Sequence, residues 1–525
     1  MANAVNIKVV EGSGISKKGL PKGAVGVLGA LVIGLSCCAP AYTLTAAVGP
    51  AASEVGVQTP AIFLMGFIPM FLVALGYRAL NDAMPDSGTS FTWATRAFGP
   101  WIGWMGGWGL IAATVLVLSN LAGIAVEFLF LALSLLFENP EIAALSDNVL
   151  INITVCITFM AVATWISYRG MASTKVFQYL TVSFQMAILL WFIIALFVGA
   201  ADHKDSLPVD ISWFNPLEVS SFGAFSAGIA VSIFVYWGWD TVLTMNEETK
   251  ESRGRFSTAS KAATILILLL VVLYVTTATA AVSFAGVGDG PTGLGNTAIA
   301  ENVFAALANP VMGGGAIFLA IAVLLSSVAS IQSTAISPAR TLLAMSHYKA
   351  LPPMLSRIHP RFKSPHYALI TSSVVASAFY VIMRLLSEDV LWDTITSLGI
   401  MVCFYYGVTA LASVAYFRKT AFATWKDAMA KVILPGIGGV LLFVTFIQTT
   451  IDSMDPNFGS GSEIGGVGLV FILGASVILT GVVYMVVQSL RRPEFFRGTI
   501  LKRGYDLPEA EKENAHAHEP EYLKD

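Results

Sequence analysis

The sequence GLSCCAP at residues 34–40 interrupts an apolar run that extends from about residue 23 to residue 49. A run of that length crosses the hydrocarbon core of a bilayer, and the interruption falls near its middle. Proline lacks a backbone N–H and clashes with the preceding turn, so Pro40 breaks the helix and frees the carbonyl of Ser36. The stretch therefore predicts a membrane-spanning helix that is broken at mid-depth.

A second interruption, YWGWD at residues 236–240, lies in the sixth apolar run of the chain, from about residue 221 to residue 245. An aspartate in hydrocarbon is unfavourable unless it faces protein or water, so we expect Asp240 to face the protein interior. The first and sixth runs are five apart and therefore cross the membrane in opposite directions. Interrupted helices at matching positions of two inverted halves are typical of a transporter's binding site.

Twelve runs in all are long and apolar enough to cross about 30 Å of hydrocarbon. They extend over approximately residues 23–49, 60–80, 103–135, 149–167, 174–199, 221–245, 263–285, 314–342, 367–385, 393–416, 429–450 and 464–489. Backbone groups must be paired within each segment in lipid, and these runs do not alternate as barrel strands do, so we expect helices. The predicted fold class is an all-α polytopic membrane protein with 12 transmembrane helices, in a five-plus-five inverted repeat with broken helices 1 and 6.

The predicted organisation is a cytoplasmic N-terminal tail at residues 1–22, a transporter domain at residues 23–489 and a cytoplasmic C-terminal tail at residues 490–525. Positive charge gives the orientation. With the N-terminus in the cytoplasm, all of the 30 Lys and Arg residues except Lys204 and Arg384 fall on the cytoplasmic side. We therefore expect a multi-pass protein of the plasma (inner) membrane with both termini cytoplasmic, and a mobile charged tail from Arg491 onward.

Composition excludes several other classes of protein. Of the 525 residues, 56% are apolar and 12% are charged, whereas an ordinary soluble domain has about 25% charged residues. The 30 Lys and Arg residues face 33 Asp and Glu residues, so we expect no nucleic-acid partner. The four cysteines lie in apolar runs and the six histidines in loops and the tail, so no metal site is predicted. The expected partners are a small-molecule substrate and the lipid bilayer, and no oligomeric state is predicted.

Four stretches of the sequence resemble the amino acid–polyamine–organocation permeases, which have the LeuT-type fold. They are residues 85–108 (PDSGTSFTWATRAFGPWIGWMGGW), 168–178 (YRGMASTKVFQ), 234–250 (FVYWGWDTVLTMNEETK) and 337–365 (SPARTLLAMSHYKALPPMLSRIHPRFKSP). They are similar to the family's loop after helix two, loop before helix five, broken helix six, and end of helix eight with the following loop. The resemblance covers helices one to ten and implies a permease rather than an enzyme.

The resemblance implies a substrate site between the two breaks, closed by helices three, eight and ten. The substrate-binding candidates are Ser36, Cys37, Cys38, Ala39, Pro40, Phe234, Trp237, Gly238, Trp239, Asp240 and Asn120. By position in the family, Phe234 is an aromatic gate over the site, and Asp240 is an acid tied to gating or proton sensing in some members. Glu127, near the outer end of helix three, is either an interfacial carboxylate or the partner of a substrate amine.

The coupling-ion candidates are Gln185, Ser326, Ser327, Ser330 and Asp240. Serine hydroxyls and freed carbonyls are suitable ligands for a hard cation, although serines in membrane helices also bond back to helix carbonyls or bridge helices. Several proton-coupled members of the family carry a lysine in helix five where this chain has Gln185, which cannot titrate. The coupling ion is therefore left open between a proton on Asp240, sodium at the serines, and uncoupled exchange. No other cofactor is expected.

The predicted function is a secondary active transporter, a symporter or exchanger, that moves an amino acid or related amine by alternating access, with uptake as the expected direction. The family's common first break is a Gly-rich triplet that lets a carboxylate approach bare N–H groups. GLSCCAP is bulkier, which leaves a polyamine or diamine importer as the alternative. A membrane-embedded enzyme is a more distant alternative, because no predicted span contains a His and Asp240 has no carboxylate partner at its depth.

Overall fold

The computed structural model describes residue 16 and residues 18–252, 256–386, 390–458 and 460–503. Residues 1–15, 17 and 504–525, which make up most of the two predicted tails, lie outside the described residues. The described chain is almost entirely helical, and its one β-hairpin joins Glu463–Ile464 to Val467–Gly468. The predicted all-helical class is therefore confirmed.

The helices are numbered in chain order. The first half of the chain contains α1 (Val27–Cys38), α2 (Pro40–Val55), α3 (Thr59–Ala83), α4 (Ser90–Phe98), α5 (Pro100–Phe137), α6 (Val149–Tyr168), α7 (Met171–Gly199), α8 (Phe222–Val235) and α9 (Thr241–Thr244). The second half contains α10 (Thr258–Ala285), α11 (Val303–Met312), α12 (Ala316–Thr334), α13 (Ile336–His347), α14 (His366–Leu386), α15 (Val390–Phe417), α16 (Trp425–Ala428), α17 (Leu434–Asp452), α18 (Leu469–Arg491) and α19 (Pro493–Phe496). Short 3₁₀ helices connect several of them, and two of these are Pro140–Ser146 and Thr297–Asn302.

Ten segments of the described chain are long and apolar enough to cross a membrane. The sequence predicted twelve, and the difference has two physical sources. The turn Gly56–Gln58 is itself helical, so α1, α2 and α3 form one continuous segment of 57 residues, Val27–Ala83. The sixth predicted span is divided by its break, which leaves the 14-residue helix Phe222–Val235 below the length needed to cross a bilayer alone.

Helical structure is interrupted at both predicted stretches. Ala39 separates α1 from α2 with a φ of 44°, a left-handed conformation, and its N–H closes α1 by donating to the carbonyl of Leu35 at 3.0 Å. Pro40 then occupies the first position of α2, where its missing N–H leaves no helical hydrogen bond unmade. The second interruption separates α8 from α9 and contains Gly238 at a φ of 100°. A Cβ at Gly238 would lie 3.3 Å from the Cys37 sulfur, so the two interruptions pack against each other.

Helix α5 lies inside the bundle, where it contacts α4, α12, α13, α14, α15 and α18. Small residues allow the closest approaches between helices, as is usual inside membranes. A Cβ at Gly66 would lie 2.1 Å from the Ser232 hydroxyl, and a Cβ at Gly399 would lie 2.7 Å from the Ala230 carbonyl. Both contacts hold α8, the helix that leads into the second interruption, tightly between α3 and α15.

The beginning of the predicted C-terminal tail is packed rather than mobile. Phe495 is fully buried and its ring stacks on Phe91 of α4, with 5.4 Å between centroids. Phe496 lies against Trp101 at the start of α5, and Arg503 donates a hydrogen bond to the carbonyl of Ala97. The prediction of mobility from Arg491 onward is therefore wrong as far as residue 503, because two aromatic rings after α18 find an apolar surface to cover.

Candidate functional site

The two interruptions and helix α12 meet at Cys37, the penultimate residue of α1. Its sulfur lies 3.1 Å from the hydroxyl of Thr241 at the start of α9 and 3.4 Å from the hydroxyl of Thr334 at the end of α12. Ser36, the residue before it, accepts a hydrogen bond from the Ser333 hydroxyl at 3.2 Å. The structure thus brings together the first, sixth and eighth apolar runs, as the resemblance implied.

Hydroxyl groups pair the backbone carbonyls that the first interruption frees. The Ser330 hydroxyl of α12 donates to the carbonyl of Cys37 at 2.9 Å, and the Thr43 hydroxyl of α2 donates to the carbonyl of Cys38 at 2.6 Å. A buried carbonyl without a partner would be costly, so these hydroxyls stabilise the break. Helix α2, of 16 residues, begins at the same break. Its first N–H groups, those of Ala41 and Tyr42, and the positive end of its dipole therefore lie there.

Asp240 lies in a cage of aromatic side chains. Its Oδ1 accepts a hydrogen bond from the Tyr406 hydroxyl at 2.8 Å, and its Oδ2 accepts a longer one from the Tyr405 hydroxyl at 3.4 Å. The Trp237 indole N–H in turn donates to the Tyr405 hydroxyl at 2.8 Å. Only 2% of Asp240 is exposed, and no Lys, Arg or His of the described chain forms an ion pair with it.

Trp239 forms one wall of this cage rather than a polar contact. Its ring packs edge-on against Tyr77 of α3, with 5.2 Å between centroids, and at a tilt of 48° against Tyr406, with 5.6 Å between centroids. Its indole N–H is buried and has no hydrogen-bond partner in the part of the chain that the structure describes. Sequence reasoning identified Asp240, Trp237 and Trp239 but missed both tyrosines. The adjacent pair Tyr405–Tyr406 in the tenth apolar run was the available signal.

Asn120 and Phe234 both adjoin Tyr42, on the α2 side of the first interruption. The Tyr42 hydroxyl donates to Asn120 Oδ1 at 2.6 Å, and Asn120 Nδ2 donates to the Thr394 hydroxyl at 3.1 Å. The Phe234 ring meets the Tyr42 ring edge-on at 6.3 Å. Helices α2, α5, α8 and α15 are joined here. Tyr42 and Thr394 are site residues that the sequence analysis did not select.

The coupling-ion candidates fall into two groups. Ser330 is held at the first interruption by its hydrogen bond to Cys37. Gln185, Ser326 and Ser327 are at most 1% exposed, and none of their side-chain nitrogen or oxygen atoms has a hydrogen-bond partner among the described residues. Since nearly all buried polar groups are paired in native proteins, these three are unusual. Helix α7, which carries Gln185, packs against both α1 and α12.

Buried ion pairs close the bundle on the face where the described chain begins, called here the amino-terminal face. Lys18 Nζ lies 2.7 Å from Asp86 and 2.7 Å from Glu247, and Arg340 lies 2.6 Å from Glu248. Burial lowers the pKa of Lys18, but the two carboxylates outweigh it and hold that pKa above its usual 10.5. Burial likewise raises the pKa of Asp86, but the Lys18 ammonium outweighs it and lowers that pKa to about 2.

The amino acid permease family matches residues 26–487, a range that contains both interruptions and the Asp240 cage. The branched-chain amino acid permease BcaP of Lactococcus lactis subsp. cremoris (strain MG1363) is 24% identical over 197 residues, which are 36% of this chain and 41% of the relative. BcaP of Bacillus subtilis (strain 168) is 24% identical over 316 residues, 58% of this chain and 63% of the relative. The methylthioribose transporter of Bacillus subtilis (strain 168) is 24% identical over 324 residues, 60% and 65% respectively. The chain thus spans less than two thirds of the length of these curated relatives.

Proposed function

Because this chain belongs to the amino acid permease family, we propose that it is a secondary transporter that carries an amino acid across the plasma membrane by alternating access. The observation that carries the proposal is the meeting of the two interruptions at Cys37, with the start of α2 directed at the same place. Helix N-termini bind carboxylates, because their N–H groups are unpaired and their dipole is positive. The site would lie between α1–α2 and α8–α9, with α5, α12 and α15 around it.

An amino acid fits this site better than an amine does. The N–H groups of Ala41 and Tyr42 are available to an α-carboxylate even though the break lacks the family's glycines. An amine substrate would require a carboxylate to face it, and both oxygens of Asp240 are already engaged by tyrosine hydroxyls. Phe234 and Tyr42 offer apolar ring surface beside the break. Two of the relatives are branched-chain amino acid permeases by name, which is consistent with an apolar substrate side chain.

The coupling ion in this proposal is a proton carried by Asp240. The ionised carboxylate accepts a hydrogen bond from Tyr406, whereas the protonated group can donate one. Protonation would therefore change the contact between the second interruption and α15. Sodium at the serines is less well supported, because the Cys37 carbonyl, which a cation at the first interruption would need as a ligand, already accepts a hydrogen bond from the Ser330 hydroxyl. Uptake would then be driven by an inward proton gradient.

The same proposal includes the membrane arrangement. The amino-terminal face would be cytoplasmic, with tails at residues 1–22 and 490–525 and the transporter domain at residues 23–489. Segment Val27–Ala83 would cross twice, and α8 with α9 would form one interrupted crossing, which gives twelve crossings in a five-plus-five inverted repeat. Nearly all Lys and Arg residues then lie on the cytoplasmic side.

Flux measurements on the purified chain in liposomes test the proposal. We expect uptake of radiolabelled L-leucine that saturates with concentration, is driven by an inward proton gradient and is unchanged by sodium. L-Isoleucine and L-valine should compete, whereas 3-methylbutylamine, which is leucine without its carboxylate, should compete at least about tenfold less well. Inhibition by the amine equal to that by leucine would refute the carboxylate site, and a requirement for sodium would refute the proton. If no amino acid is taken up, the transport proposal fails.

A further inference from the structure

A cavity of about 340 Å³ lies on the face opposite the amino-terminal face. Its walls are the end of α5, the short helix Pro140–Ser146, the start of α6, the short helix Thr297–Asn302 with the start of α11, and the end of α14. None of its lining residues belongs to α1, α2, α8 or α9, so the cavity is separate from the site between the two interruptions. Small-molecule sites in proteins have volumes of roughly 300–1,000 Å³, so this cavity is large enough for a compact ligand.

Charged side chains line the cavity on several sides. Three are acidic, Glu127, Asp147 and Glu301, and one is basic, Arg384. Acidic groups therefore outnumber basic ones among the lining residues that the structure describes. The cavity should attract a ligand that carries positive charge, while Arg384, whose Nη2 donates to the Asp147 carbonyl at 3.5 Å, supplies the positive charge of the lining.

Glu127 has one carboxylate oxygen in use and one available. Its Oε2 accepts a hydrogen bond from Asn302 Nδ2 at 2.7 Å, and its Oε1 accepts none from the described residues. Glu301, by comparison, is held in place through Oε1 by the backbone N–H of Trp392 at 2.8 Å. A partly buried carboxylate that is fixed by one hydrogen bond and offers its second oxygen to a cavity is suited to bind an ammonium group.

The lining favours an organic cation over a metal ion. A hard metal ion requires several oxygen ligands converging at about 2–2.6 Å. No group of three or more His, Cys, Asp or Glu side chains in the described chain is close enough to provide them. Phe128, Leu131 and Ala305 add apolar wall next to Glu127. A molecule with an ammonium group and a short apolar body matches such a lining.

The cavity also lies in line with the central site along α5. Asn120 and Glu127 are seven residues apart, which is nearly two full helical turns and about 10 Å, so they share one face of the helix. The short helix Thr297–Asn302, which forms another wall, is packed on α2: a Cβ at Gly49 would lie 2.3 Å from the Ala300 carbonyl. The backbone N–H of Phe304, just after this helix, donates to the Thr45 hydroxyl at 3.1 Å. A ligand in the cavity would therefore touch the segment that covers the α2 half of the first interruption.

We propose that this cavity is a second binding site, in which Glu127 holds the ammonium group of an amino acid of the transported class. The identity of the ligand rests on the proposed function; the site itself rests on the cavity and its lining. The carboxylate of the ligand lies toward Arg384, and its side chain lies against Phe128 and Leu131. The protein therefore binds two amino acid molecules at once, one at the interruptions and one at the opposite face.

Counting bound ligands on the full chain in lipid nanodiscs tests this site. With radiolabelled L-leucine at saturation, the unchanged protein should bind two equivalents and Glu127→Gln one. Glu138→Gln is the matched control: it is the same substitution eleven residues further along, at an exposed position outside the cavity, and it should retain two. Uptake by Glu127→Gln should require about tenfold more leucine for half-saturation, and uptake by Glu138→Gln should not change.

A second variant tests the site without removing a charge. Ala298→Trp places a large ring in the cavity from an exposed position, so folding should be retained, and it should also bind one equivalent. The second site would be refuted if the unchanged protein bound one equivalent of leucine and took leucine up normally, and if Glu127→Gln changed neither binding nor uptake. The transport proposal would remain intact. If the unchanged protein neither binds leucine nor takes it up, both proposals are refuted.

Discussion

Asp240 combines two properties that are rarely found together in one side chain: it is buried in the bundle and it has no cationic partner among the described residues. The Tyr406 and Tyr405 hydroxyls take the place of a counter-ion, since they donate hydrogen bonds that remain available when the carboxylate is charged. A buried carboxyl group held only by neutral donors can take up a proton without breaking an ion pair. Such a group is suited to carry a proton and would be a poor choice for structural support alone.

We predict that Asp240→Asn removes the pH dependence of leucine uptake. Asparagine keeps the shape and accepts one tyrosine hydrogen bond, but it cannot bind and release a proton. Concentrative uptake driven by a pH gradient should fall to the background of empty liposomes, while exchange of external for internal leucine continues. Asp205→Asn, in an exposed loop, is the control and should behave as the unchanged protein does. A normal pH profile in Asp240→Asn would contradict the assignment.

The two interruptions depend on each other because their backbones approach closely. Gly238 has a φ of 100°, and its Cα faces the sulfur of Cys37 and the backbone N–H of Cys38. Glycine meets both requirements, since it allows positive φ and lacks the Cβ that would lie 3.3 Å from the Cys37 sulfur. Ala39 takes the equivalent left-handed conformation in the first interruption without being a glycine, which other contacts of the break must compensate.

We predict that Gly238→Ala lowers the free energy of unfolding by about 1–3 kcal/mol, through backbone strain and the contact with Cys37. The thermal unfolding midpoint of the purified protein should fall, and leucine binding should weaken because the two interruptions move apart. Gly314→Ala is the matched control, since a Cβ there meets nothing within 4 Å and the backbone φ is not positive. Equal midpoints for the two variants would show that the close approach has no energetic importance.

Some elements were predictable from the sequence and others were not. Pro40 and the YWGWD stretch predicted both interruptions, because residues that break helices or carry charge act locally. The pairing of Asp240 with Tyr406 was not predictable, because it depends on how α15 is rotated about its axis, and an almost uniformly apolar helix does not reveal which face is turned inward. Likewise, α3 follows α2 through a helical turn that carries no strong turn signal.

For the molecule as a whole, one residue of the predicted N-terminal tail, Lys18, takes part in closing one face. Lys18 is only 7% exposed and joins Asp86 after α3 to Glu247 after α9, across a sequence separation of 229 residues between Lys18 and Glu247. A charged segment next to an apolar run looks like a solvated tail in sequence. Only the three-dimensional arrangement reveals that the Lys18 ammonium group contacts the carboxylates of Asp86 and Glu247.

The pKa values define the pH range of this closure. The pKa of Asp86 is lowered to about 2 from an unfolded value of about 4, so its contribution to stability is present above about pH 4 and is lost as the pH falls toward 2. The pKa of Lys18 is raised above 10.5, so its contribution is present below that pH and is lost as the pH rises through the raised value. The closed face is therefore expected to be stable throughout the physiological range.

We predict that Lys18→Gln opens the amino-terminal face, because two buried carboxylates lose their cation and removing one partner of a buried pair costs about 3–5 kcal/mol. In a chain whose Cys156 and Cys403 are replaced by Ala, a charged maleimide should label Cys37 or Cys38 at least about tenfold faster. Lys349→Gln is the matched control, since its pair with Glu494 lies on the surface, with side-chain exposures of 57% and 61%. Equal labelling rates for the two variants would show that Lys18 does not close the face.

The packing of Phe495 on Phe91 also has a consequence for how the protein is made. Phe91 is synthesised soon after α3, whereas Phe495 follows α18, so Phe495 cannot cover the apolar surface of α4 until α5 to α18 have been synthesised. During that interval a partly synthesised chain has every apolar run inserted except the last ones and still presents an unfinished surface. Assembly of that face therefore depends on synthesis of the segment that follows α18, and a chain that stops before Phe495 leaves the apolar surface of α4 uncovered.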